Sequence, residues 1–64
     1  MAKIRRGGYV FVSFVGDHPP RHVHVYRDGR LVVKRDLERR QALHGAAGVR
    51  VRKLLTELVE EGRL

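Results

Sequence analysis

Three histidines, His18, His22 and His24, fall inside the stretch GDHPPRHVHVYRDGR, residues 16–30, together with Pro19, Pro20 and Arg21. Imidazole titrates near neutrality and can take or give a proton at physiological pH. Cleavage of RNA without metal needs a base for the 2′-hydroxyl, an acid for the leaving oxygen and cations on the phosphorane. His22 and His24 beside Arg21 and Arg35 supply those groups, which makes His18, His22 and His24 the candidate catalytic residues. Three imidazoles with an open position would also suit zinc, with Asp17 as an orienting carboxylate. The cations around the motif (Arg21, Arg27, Arg30, Arg35) disfavour a divalent ion, so no metal or other cofactor is expected. A structural role is the third option. Pro19-Pro20 fixes an extended approach into a strand, and histidines in sheets often serve only as half-buried strand residues.

The charge of the chain bears on what it meets. Fourteen Lys plus Arg against seven Asp plus Glu give a net charge of +7, and eleven of the fourteen are Arg. Residues 1–35 carry eight basic and two acidic side chains, a net of +6, whereas residues 36–64 carry six and five, a net of +1. A basic excess in one half is the footprint of a polyanion partner. Arginine's planar fork suits phosphate. The candidate nucleic-acid-binding residues are Arg21, Arg27, Arg30, Lys34 and Arg35, with Tyr9 and Tyr26 available for stacking. Two Phe, two Tyr and no Trp argue against an extended base-stacking platform. The same charge suits an acidic protein partner.

Secondary structure must place these groups. YVFVSFV, residues 9–15, is aromatic and β-branched, bounded by Gly7-Gly8 and Gly16, and reads as a strand buried on both faces. HVHVY is a second strand, Asp28-Gly29 a two-residue hairpin turn, and LVVKRDL the return strand. ALHG adds a short fourth strand after the polar turn ERRQ. Counting back from the turn, Arg27 opposes Arg30, Tyr26 opposes Leu31, Val25 opposes Val32, His24 opposes Val33 and His22 opposes Arg35. Alternation then puts His22, His24 and Tyr26 on one face with Leu31, Val33, Arg35 and Leu37, and Lys34 on the other with Arg27 and Arg30. Val23 and Val25 face the helix. Ala47, Val51, Leu54, Leu55, Leu58 and Gly62 share one helical face, with Gly62 at the C-terminal glycine position. Arg50, Arg52 and Lys53 near the start of that helix and Glu57, Glu60 and Glu61 near its end oppose its dipole.

The expected fold is a small α+β domain over residues 1–64, an antiparallel sheet of three or four strands with one C-terminal helix on one face. The sequence has no cysteine, which removes disulfides and thiolate metal sites, and no apolar run long enough to span a bilayer. A chain this short has a modest core. A homodimer is expected to cover the sheet face the helix leaves bare, and the expected location is cytoplasmic.

The chain resembles the small bacterial proteins of domain-of-unknown-function family 4160. Such proteins open with a Gly-Tyr strand, then carry Asp-His-x-Pro-Pro-His-x-His-Val, a glycine turn, a strand ending in Asp-aliphatic, and a helix. The matching residues are Gly8-Tyr9, Asp17-His18, Pro20, His22, His24-Val25, Gly29, Asp36-Leu37 and the helix from about Gly48. Arg21 stands where the family has its second proline, and the helix is shorter than is common in it. The resemblance implies a component of a toxin–antitoxin-type pair, because genes of such proteins often lie beside those of another small family. On that reading the chain engages RNA or DNA, its partner is an acidic antitoxin-like protein, and the motif is its functional centre. The rival is a non-enzymatic module that docks an acidic cognate protein through its basic sheet, with the histidines structural.

Overall fold

The computed structural model describes residues 2–13 and 21–64. Among these residues five strands run in chain order: β1 (Ala2–Arg6), β2 (Tyr9–Ser13), β3 (His22–Arg27), β4 (Arg30–Asp36) and β5 (Gln41–Gly45). One helix, α1 (Val49–Glu60), follows. All neighbouring strands pair antiparallel in the order β1-β2-β3-β4-β5. The class is the expected α+β, with five strands rather than three or four. The strand not foreseen is β1, whose KIRR run lacks β-branched residues beyond Ile4 but is folded onto β2 by the Gly7-Gly8 turn, with Arg6 opposite Tyr9.

Alternation builds the core. Ile4, Tyr9, Phe11, Val23, Val25 and Val33 point to one side of the sheet, where Val51, Leu55 and Leu58 of α1 meet them. Phe11, Val23, Val25, Val33 and Leu58 are fully buried. Val10 and Val12, on the other side of β2, are only half-buried. The double burial expected of this strand is therefore one-sided across its described residues.

The β3–β4 turn is a type I′ pair, with Asp28 at φ 52° and Gly29 at φ 76°. The expected register holds for Arg27–Arg30 and Tyr26–Leu31 and then fails. Val25 pairs with Val33, His24 with Lys34, Val23 with Arg35 and His22 with Asp36. Val32 is the cause: it bulges out of the ladder, and both it and Val33 pack toward the core. Beyond it every β4 residue lies on the face opposite to simple alternation. Lys34 therefore joins the histidines, while Val33, Arg35 and Leu37 turn to the helix side.

Two contacts from the β1–β2 end of the sheet dock the helix, one at mid-helix and one at its C-terminal cap. A Cβ on Gly7 would lie 2.8 Å from Leu54 Cδ1, so the bare glycine lets the helix sit close. Arg6 donates to both carboxylate oxygens of Glu61 at 2.6 and 2.8 Å, which gives an acid at the unfavourable end of the helix dipole a cation from β1. The helix closes with a Schellman motif, Arg63 N–H bonding Leu58 O at 2.9 Å and Gly62 N–H bonding Val59 O at 3.0 Å.

Candidate functional site

The sheet face turned away from α1 collects the groups that could do chemistry. The ladders align Lys3 with Val12, Val12 with His24, His24 with Lys34 and Lys34 with His44. These five residues form one row across all five strands, spanning about 19 Å at ~4.8 Å per strand. A second row runs Arg5, Val10, Tyr26, Leu31. His22 lies two residues from His24 on the same face, about 6.6 Å along β3. The His24 and Tyr26 rings lie nearly parallel, 16° apart, with centroids at 6.5 Å.

Asp36 stands opposite His22 on β4 and is 1% exposed. Its Oδ1 accepts the amides of Glu38 at 2.9 Å and Arg39 at 3.0 Å, which shapes the turn into β5. Oδ2 is buried and has no hydrogen-bond partner among the described residues; Arg39 Nε lies 4.0 Å away. Asp36 and His22 are ladder neighbours, but no hydrogen bond or ion pair joins their side chains.

The expected site residues divide. His22 and His24 share the open face with Lys34. His18 lies outside the described residues, as do Asp17, Pro19 and Pro20. Arg21 is exposed just before β3. Arg27 belongs to the helix side, where its guanidinium sits 5.3 Å over the Tyr9 ring and donates to the Tyr9 hydroxyl at 3.3 Å. Arg30 faces it across the turn. Arg35, expected beside the histidines, is on the helix side because of the Val32 bulge. The five cations are thus not one patch. Lys3, Arg5, Asp36 and His44 join the open face, and sequence reasoning passed over them as site residues. His44 could have been found from ALHG as a strand, but its side depends on a second irregularity at Leu43, between the Lys34–His44 and Arg35–Ala42 pairs. Among the described residues no three His, Cys, Asp or Glu side chains converge on a metal position.

The family model for domain of unknown function DUF4160 matches residues 8–63, and the chain belongs to that family. No curated protein and no solved structure matches it. No helix among the described residues is long and apolar enough to cross a membrane.

Proposed function

We propose that the chain is a cytoplasmic nucleic-acid-engaging component of a toxin–antitoxin-type pair, acting as a metal-independent ribonuclease through its open sheet face. The observation that carries this reading is the Lys3–Val12–His24–Lys34–His44 row, with His22 one step along β3. Cations at Lys3, Arg5 and Lys34 follow a phosphate backbone. His22 and His24, about 6.6 Å apart along the strand, divide the base and acid roles, and Lys34 stabilises charge on the phosphorane between them. Tyr26 gives one base a stacking surface.

Growth arrest and total RNA integrity, compared between cells expressing wild type and His22→Ala/His24→Ala, test it. Arrest with RNA loss, absent in a variant that still folds, is the expected result. Intact RNA and normal growth with both would transfer the protein to the second reading, a module that docks an acidic cognate protein. A homodimer closing over this face would exclude RNA from it. Sedimentation with and without a single-stranded oligonucleotide distinguishes the two occupants.

A further inference from the structure

On the other side of the sheet, α1 leaves a groove of about 410 Å³ between itself and the β4–β5 turn. Its floor is aliphatic, from Leu37, Leu55 and Val59, and its rim carries Arg35, Arg40 and Arg52. Glu60 and Thr56 complete the lining. None of the three guanidiniums pairs with a carboxylate among the described residues, although Glu60 shares the groove. Three uncompensated cations above an apolar floor repel one another, and an anion between them removes that cost.

Two further features converge here. Arg40 holds φ at 57°, a left-handed conformation that a long side chain seldom adopts. Glycine would serve the turn with less strain, yet an arginine stands there with its side chain on the groove. Among the described residues β5, which starts at the next residue, pairs only with β4, and all five of its residues are exposed, Leu43 at 50%. Arg40, on the groove, thus immediately precedes a strand whose outer edge no described residue pairs.

We infer that this groove is a docking site for an extended acidic peptide segment of another protein, alternating aliphatic side chains with carboxylates. The carboxylates meet Arg35, Arg40 and Arg52, the aliphatic groups meet Leu37, Leu55 and Val59, and the backbone adds to the free edge of β5. Charge decides between candidate occupants. A second copy would bring another +7 to a basic rim. A nucleic acid would find aliphatic residues where bases stack on aromatic ones. The site lies on the opposite side of the sheet from the histidines and does not depend on them.

Selection of a displayed library of random short peptides on the intact protein tests the inference. The expected consensus holds two or more carboxylates interleaved with aliphatic residues. Its synthetic form should bind wild type and His24→Ala alike, and bind Arg35→Gln/Arg52→Gln about tenfold more weakly or worse. Arg40→Gly should weaken it comparably while leaving thermal stability unchanged or higher, since glycine relieves the turn. An empty selection, enriched peptides without acids, or equal binding to a folded Arg35→Gln/Arg52→Gln variant would overturn the site. So would loss of single-stranded RNA binding in these variants without loss of peptide binding.

Discussion

Lys34 and Arg35 are neighbours in sequence and lie on opposite faces of the sheet, Lys34 paired with His24 and Arg35 with Val23. They therefore separate the two surfaces cleanly. Lys34→Gln should weaken binding of single-stranded RNA and lower the salt dependence by about one ion, while Arg35→Gln leaves both unchanged. Anisotropy titrations over a range of salt concentrations make the comparison. Equal effects from the two substitutions would contradict the assignment of nucleic acid to the histidine face.

His22 and Asp36 form the part of the open face most open to chemical testing. If RNA is cut there, His22→Ala should reduce the rate by about 10²–10⁴-fold. Asp36→Asn keeps an oxygen for the Glu38 and Arg39 amides, so the turn should survive. If Asp36 comes to engage its ladder neighbour His22 in the reacting complex, the same change should lower the rate. Asp36→Ala, by contrast, should also cost about 1–3 kcal/mol through the unsatisfied amides. Unchanged cleavage in a folded Asp36→Asn variant would assign Asp36 to the turn alone.

The bidentate hydrogen bonds from Arg6 hold the Glu61 carboxyl below the usual carboxylate range and raise the Arg6 guanidinium above its ordinary value. A depressed carboxyl contributes stability above its unfolded pKa and loses it as the pH falls through the folded value. The raised guanidinium contributes throughout the accessible range. The melting temperatures of wild type and Glu61→Gln should thus differ by a constant amount above about pH 5 and converge below about pH 4. Both side chains are solvent-facing, so added salt should narrow the gap at neutral pH.

Two glycines with nearly the same φ should respond very differently to alanine. At Gly29, φ 76°, an added Cβ meets nothing within 4 Å, so the cost is the left-handed conformation alone, about 1–2 kcal/mol. At Gly45, φ 75°, the same Cβ would lie 2.2 Å from the Val32 carbonyl oxygen. Backbone cannot swing aside as a side chain can, so Gly45→Ala should detach β5 or unfold a domain with little stability to spare. Thermal melts and amide exchange at Leu43 and His44 distinguish these results.

The sequence disclosed the elements with strong local signals. Asp28-Gly29 marked its turn, and the spacing of Val51, Leu55 and Leu58 marked the buried helical face, because periodicity and turn chemistry act over a few residues. β1 was hidden because Ile4 is flanked by Lys3, Arg5 and Arg6, and only pairing with β2 makes that run a strand. The histidine face was half legible. His22, His24 and Tyr26 follow from alternation, but the positions of Lys34, Arg35 and His44 depend on Val32 and Leu43 leaving their ladders. Nothing local distinguishes Val32 from Val33; the packing of the whole sheet chooses between them.

The bulge at Val32 works as a parity switch on β4. A single residue inserted or removed nearby would exchange the outward and inward sets, moving Lys34 from the histidines to the groove and Arg35 the other way. Two surfaces of different character thus share one short strand, and one step in its length can redistribute charge between them without altering composition. A variant of this chain carrying such a step would keep nearly the same composition while presenting the opposite cation on each face.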